Sequence, residues 1–150
     1  MNGNGGIDTI HLDSAPTAVT VNLVQGTVTG WGTSTLNGIT NIYGGYDGGT
    51  LTGDSQTTYI AAPGGDTVIY TGDAGVTVVL GAGNDTVHGG GGNDEIYVGN
   101  GSNTIDGGGG YNGVSYVGLS GPVKVDLNAA QGYHGYIDNL SHITNVQGSN

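Results

Sequence analysis

Aliphatic residues recur at every ninth position through the middle of this 150-residue chain: Ile42, Leu51, Ile60, Ile69, Val78, Val87, Ile96, Ile105 and Val114. Each stands in a background of Gly, Asn, Asp and Thr. A nine-residue unit is too short for a helical hairpin, and a fixed short period marks a stacked architecture in which no repeat can bury its apolar face alone. The glycine-rich half of each unit, as in Gly81-Ala82-Gly83-Asn84-Asp85 or Gly89-Gly90-Gly91-Gly92-Asn93, can take positive-φ conformations that other residues resist. Each unit therefore reads as a turn followed by a very short strand.

Two units make one coil. Eighteen residues per coil place Ile42, Ile60, Val78, Ile96 and Val114 in one ladder and Leu51, Ile69, Val87 and Ile105 in the facing one. The two ladders form a thin aliphatic core, and successive coils stack about 4.8 Å apart in parallel sheets. The expected fold is all-β: a parallel β-roll, or β-solenoid, with nine residues per half-coil.

A second period marks a duplication. At an offset of 104 residues, Ala18-Val19-Thr20-Val21-Asn22-Leu23 aligns with Pro122-Val123-Lys124-Val125-Asp126-Leu127, and Leu36, Ile39, Thr40, Asn41, Ile42 and Gly44 align with Leu140, Ile143, Thr144, Asn145, Val146 and Gly148. Gly3, Gly5 and Gly6 fall on Gly107, Gly109 and Gly110, and Asp8 falls on Asn112. Residues 3–45 and 107–149 thus read as two copies of one unit around a nonapeptide core, 42–115. Alternation of Val19, Val21 and Leu23, and of Val123, Val125 and Leu127, predicts longer flanking strands with one buried face. No linker interrupts the chain, which reads as one domain, 1–150.

Composition narrows the chemistry. There are 34 Gly, no Cys and a single basic residue, Lys124, against 12 Asp and Glu, for a formal net charge of −11. Such a chain repels phosphate backbones and anionic membranes, so nucleic acid is not expected as a partner. Without Cys there is no thiolate metal site. No apolar run approaches the length of a membrane span, and membrane insertion is not expected.

The unit Gly89-Gly90-Gly91-Gly92-Asn93-Asp94-Glu95-Ile96-Tyr97 fits the pattern G-G-x-G-x-D-x-U-x at every specified position, and Leu80 to His88 fits at all but the first. Residues 3–11, with Asp8 and Ile10, miss one Gly; units 98–106 and 107–115 carry Asn103 and Asn112 in place of Asp. The chain resembles the repeats-in-toxin (RTX) family of calcium-binding nonapeptide repeats. That resemblance implies a calcium-loaded β-roll, secreted or at the cell surface, with export unfolded through a type I secretion channel. It also implies an ion between turns 18 residues apart, held by backbone carbonyls and by the Asp of each turn. Calcium takes six to eight oxygens, which carbonyls and carboxylates supply together.

Carried onto this chain, the family arrangement gives one site from the carbonyls of Gly81, Gly83, Val98 and Asn100 with the side chains of Asp85 and Asn103. A second uses Gly90, Gly92, Gly107 and Gly109 with Asp94 and Asn112. A third uses Ala62, Gly64, Leu80 and Ala82 with Asp66 and Asp85, although 66 to 85 is nineteen residues, so that one turn has to absorb an extra one. Asp54, Asp73 and Asp138 read as solvated.

No enzymatic constellation emerges. His11, His88, His134 and His142 show no metal-ligand spacing and read as surface residues. The function expected from the resemblance is a non-catalytic, calcium-binding module of a larger bacterial exoprotein, in contact with neighbouring repeats and serving as scaffold, spacer or secretion-linked folding unit. The alternative is a carbohydrate-binding or adhesive module, for which Tyr133-His134-Gly135-Tyr136 and Trp31 supply aromatics able to stack on a glycan.

Overall fold

The computed structural model describes residues 1–149. Among them the regular elements are seventeen short strands in two sheets. The first sheet has seven strands, in the order β1 (Thr9–His11), β5 (Asn41–Tyr43), β7 (Tyr59–Ala62), β9 (Thr77–Leu80), β11 (Glu95–Tyr97), β13 (Gly113–Ser115) and β17 (Asn145–Gln147). All neighbours in it are parallel. The second has ten: β14 (Lys124–Asp126), β15 (Gln131–Tyr133), β16 (Ile137–Ser141), β12 (Thr104–Asp106), β10 (Thr86–His88), β8 (Thr67–Tyr70), β6 (Gly49–Thr52), β2 (Val19–Asn22), β3 (Thr27–Thr29) and β4 (Ser34–Thr35). The chain is a parallel β-roll.

The aliphatic ladders set the register. Ile42 pairs with Ile60, Ile60 with Val78, Val78 with Ile96 and Ile96 with Val114. Opposite them Leu51 pairs with Ile69, Ile69 with Val87 and Val87 with Ile105. These side chains are fully or almost fully buried. A shift by one residue would turn each ladder out to solvent, so the pattern specifies the pairing strongly. The ladders also run past the nonapeptides: Ile10 stacks on Ile42, Val146 on Val114, Val21 on Leu51 and Leu140 on Ile105. Between strands the chain turns on stacked glycines. Gly72, Gly90 and Gly108, eighteen residues apart, share φ of 86°, 71° and 72°, a conformation that costs an ordinary L-residue about 1–2 kcal/mol.

The flanking strands are not longer than the others: β2 has four residues and β14 three. Each instead opens an antiparallel meander, β2-β3-β4 or β14-β15-β16. The pairings in the two meanders correspond residue by residue at the 104 offset: Thr20 with Thr29 and Lys124 with Tyr133, Thr27 with Thr35 and Gln131 with Asn139. The β1–β5 and β13–β17 pairs correspond in the same way. Both meanders bend at a positive φ, at Gly26 (64°) and Ala130 (55°).

Candidate metal centre

Position six of each nonapeptide lies inside its turn, immediately before the strand, and its side chain reaches back to the coil that precedes it. In one column the Thr67 N–H donates to Asp85 Oδ1 (2.9 Å), the Asp85 N–H to Asn103 Oδ1 (3.0 Å) and the Asn103 N–H to Asp138 Oδ1 (2.8 Å). In the other, the Val76 N–H donates to Asp94 Oδ1 and the Asp94 N–H to Asn112 Oδ1, both at 2.9 Å. Asp85, Asp94, Asn103 and Asn112 are buried.

The second carboxylate oxygens are the unusual feature. Asp85 Oδ2 and Asp94 Oδ2 are buried with no hydrogen-bond donor. Such a group carries its full desolvation penalty, which is greater for a charged group than for a neutral one. Burial accordingly pushes the Asp85 carboxyl up to about 7, against the lowering effect of the Thr67 amide. It pushes Asp94 up to about 6, against the lowering effect of the Val76 amide; the Thr71 hydroxyl near by donates to the Gly89 carbonyl instead.

The Asn turns show what those oxygens face. Asn112 Nδ2 donates to the carbonyls of Gly109 (2.9 Å) and His142 (3.2 Å). Asn103 Nδ2 donates to Asp138 Oδ1 (3.0 Å) and the Gly101 carbonyl. In the Asp94 turn the position of that amide nitrogen is taken by an anionic oxygen. A Cβ placed on Gly89 would lie 2.7 Å from Asp94 Oδ2 and against the Gly107 carbonyl, so this cradle exists only because residue 89 is Gly. An oxygen directed at carbonyl oxygens calls for a positive species between them: a proton, or a cation that prefers hard oxygen ligands. Among the described residues no three His, Cys, Asp or Glu side chains converge. Most ligands would therefore be backbone carbonyls. Several already accept one amide each in the ladder between coils: Gly81 from Asn100, Asn100 from Gly83, and Gly90 from Gly109. A carbonyl keeps a second lone pair for a further partner.

The third set is not assembled. Thr67, not Asp66, stands eighteen residues before Asp85, because β8 and β10 pair Val68 with Thr86 and Ile69 with Val87. No turn absorbs the extra residue. Asp66 is exposed and accepts the Asn84 N–H at 2.7 Å, so it joins Asn84 on the outside of the roll. The Asp85 oxygen on that side is held by the Thr67 N–H. Ala62, Gly64, Leu80 and Ala82 therefore frame no second acid.

Two other expectations fail. Asp138 is fully buried, and so is His134 within its meander. Asp138 occupies the position-six place in the column above Asn103. Its Oδ2 lies 2.9 Å from His134 Nε2 and 3.2 Å from the Tyr116 hydroxyl, which donates to it. Burial, and then the Asp138 charge, raise the Tyr116 phenol above its ordinary range.

The chain is thus a parallel roll whose glycine turns bury the carboxylates of Asp85 and Asp94. Residues 79–114 match the family of RTX calcium-binding nonapeptide repeats, in four copies. This segment holds Asp85, Asp94, Asn103 and Asn112. No curated protein matches the chain.

Proposed function

We propose that the chain is a calcium-dependent β-roll module of a larger secreted or cell-surface protein, acting as scaffold, spacer or a unit whose folding is tied to export. Residues 1–150 serve as one domain, with 3–45 and 107–149 as duplicated flanks of the 42–115 core. Calcium is held at two places. One lies between the Asp85 and Asn103 turns, with carbonyls drawn from Gly81, Gly83, Val98 and Asn100. The other lies between the Asp94 and Asn112 turns, with carbonyls from Gly90, Gly92, Gly107 and Gly109. The observation that carries this reading is the pair of buried, donorless oxygens, Asp85 Oδ2 and Asp94 Oδ2.

The mechanism is metal-coupled folding. At a formal charge of −11, stacking acidic turns is self-repelling, and cations that bind only the stacked state contribute their binding free energy to folding. A calcium titration followed by far-ultraviolet circular dichroism tests this. A cooperative gain of β signal is expected with calcium and little with magnesium, which demands octahedral geometry and keeps its waters. Identical spectra in chelator and in calcium would sink the reading.

Glycan binding is the second reading, and the exposure of Tyr133, Tyr136 and Trp31 favours it. Tyr133 lines a cleft of about 210 Å³ with Lys124 and Ile137. Binding on a glycan array that vanishes with Tyr133→Ala and Tyr136→Ala would establish it.

A further inference from the structure

The two sheets present different outer faces. On the second, the outward positions of the central strands carry Thr50, Thr52, Thr86 and Thr104, with Tyr70 stacked on His88. On the first, the residues beside the inward-facing Ile10, Ile42, Ile60 and Ile96 form a line of aromatic side chains: His11 on β1, Tyr43 on β5, Tyr59 on β7 and Tyr97 on β11. His11 stacks on Tyr43 with ring centroids 5.3 Å apart. Between Tyr59 and Tyr97 the line opens into a cleft of about 510 Å³. Thr77 and Val79 of β9 lie at its floor, since Thr77 pairs with Tyr59 and Val79 with Tyr97 in the register of the sheet. Asn100, in the turn after β11, and Leu119, in the loop after β13, line it as well.

A cleft of this size with an apolar floor and a few polar groups has the make-up of a ligand site. Tyr97 is 38% exposed, and Tyr59, Thr77 and Val79 are half-buried, so rings and hydroxyls are open to solvent. Among the described residues that line the cleft there is no Lys, Arg, His, Asp or Glu. An uncharged cleft in a chain of formal charge −11 repels anions and offers a cation no counter-charge, which leaves a neutral ligand. That ligand needs apolar faces for the tyrosine rings and polar edges for Thr77, Asn100 and the phenol hydroxyls. A pyranose ring has both, with C–H groups on its faces and hydroxyls round its rim. Spacing selects the linkage. Tyr59 and Tyr97 stand two strand spacings apart across the sheet, roughly 10 Å. In an extended β-1,4-linked glycan alternate rings turn the same face to a surface, and two rings advance by a similar length. We propose that the outer face of the first sheet binds a neutral, unbranched β-1,4-linked glycan lying across the strands, with alternate rings on Tyr59 and Tyr97 and the ring between them over Thr77 and Val79. This site lies on the opposite sheet from Tyr133 and uses none of the carboxylates assigned to calcium.

The test uses the full chain in calcium chloride, with cellohexaose and chitohexaose as probes, maltohexaose as the α-linked control and decaproline as the peptide control. Amide proton and nitrogen shifts map the site, and calorimetry gives the affinity. A β-linked probe is expected to shift the amides of Tyr59, Thr77, Val79, Tyr97 and Leu119 and to bind about tenfold more tightly than maltohexaose. Tyr59→Ala and Tyr97→Ala should each weaken binding by about tenfold, the worth of one stacked ring. Both rings point outward, so the circular dichroism of the variants should match the wild type. Tyr97→Phe keeps the ring and should bind nearly as well as the wild type, as should Tyr133→Ala. The proposal is overturned if neither β-linked probe moves the cleft amides, if maltohexaose binds equally well, or if decaproline alone occupies the cleft. It is also overturned if Tyr133→Ala abolishes binding while Tyr97→Ala does not, a result that would put glycan binding in the second meander. None of these outcomes bears on the calcium reading, which the chelator experiment tests separately.

Discussion

The two flanking segments share a strand register around different turns and different chemistry. In the first, Leu12, Val28, Gly30 and Ser34 occupy the places that Tyr116, Gly132, His134 and Asp138 take in the second. Leu12 and Val28 are buried aliphatics and Ser34 is exposed. In the second segment the Tyr116 ring extends over Gly132, where any Cβ would collide with its hydroxyl, and it meets a fully buried Asp138. The same exchange separates Asp8 from Asn112. One segment leaves the Asp8 carboxylate oxygen without a donor; the other supplies amide and phenol donors from its own side chains. The second segment thus satisfies with its own donors a position that the first leaves open, and a handful of substitutions separates the two.

The largest effect expected from breaking this contrast is at Asp138. Asp138→Ala removes the acceptor of the Asn103 N–H and amide and of the Tyr116 hydroxyl, and with it the carboxylate 2.9 Å from His134 Nε2. Loss of one partner from a buried, hydrogen-bonded charged cluster costs roughly 3–5 kcal/mol, whereas Ser34→Ala, on the exposed β4 of the first segment, should stay within about 0.5 kcal/mol. Urea unfolding of both variants measures the difference, and equal losses would show that the cluster stabilises nothing.

Next in size is a dependence on pH. The carboxyls of Asp85 and Asp94 titrate higher in the folded, metal-free chain, near 7 and near 6, than their ordinary value of 3.8. Groups whose folded pKa is raised contribute stability that is fully present below the unfolded value and is lost as pH rises through the folded one. In chelator the protein should therefore lose stability steadily from about pH 4 to pH 7, by an amount of the order of a few kcal/mol. In saturating calcium the fall should vanish, because cation replaces proton. A metal-free chain that gains stability over that range would show that the two oxygens are not buried as described.

Smaller effects come from the meander bends. Gly26→Ala places a Cβ 2.5 Å from the Leu36 carbonyl at a φ of +64°, and Ala130→Gly relieves the matching strain at +55°. The first should destabilise by about 1–2 kcal/mol and the second should leave stability unchanged or raise it by up to roughly 1 kcal/mol, since the greater freedom that Gly gives the unfolded chain offsets part of the relief. Thermal melts that move in the same direction for both would contradict the equivalence of the two bends.

The smallest is at the exposed pair of Asp106 and His142, 2.6 Å apart, whose first-segment counterparts are Asn2 and Gly38. The His142 hydrogen bond holds the Asp106 carboxyl below its usual range. His142→Gly loses that surface pair and relieves a φ of +52°. The two changes should nearly cancel, within about 1 kcal/mol, with the balance shifting toward stabilisation at high salt.

The ladders were legible because burial on both faces of a thin core leaves the aliphatic spacing no freedom: Ile42 to Val114 and Leu51 to Ile105 pair as the period predicts. Asp66 was misread because its acid was aligned with Asp85, whereas the register follows Ile69 and Val87. Asp138 was missed because it follows Asn103 by thirty-five residues rather than eighteen: a meander intervenes, and its partners come from three different parts of the chain. The antiparallel meanders had a local signal in Gly26, but alternation alone carries no information about strand direction.

The column running from Thr67 through Asp85 and Asn103 to Asp138 has a direction. Each turn's buried N–H is satisfied only by the side chain of the coil that comes after it in sequence. A chain that lengthens from its N-terminus therefore always ends in a turn still waiting for its acceptor, and every added coil leaves a new one open. A chain presented C-terminus first starts from Asp138, whose acceptor is already in place, and each coil that arrives brings a donor to a finished surface. The roll is a one-way zipper, and the end from which it closes should govern how fast it does so.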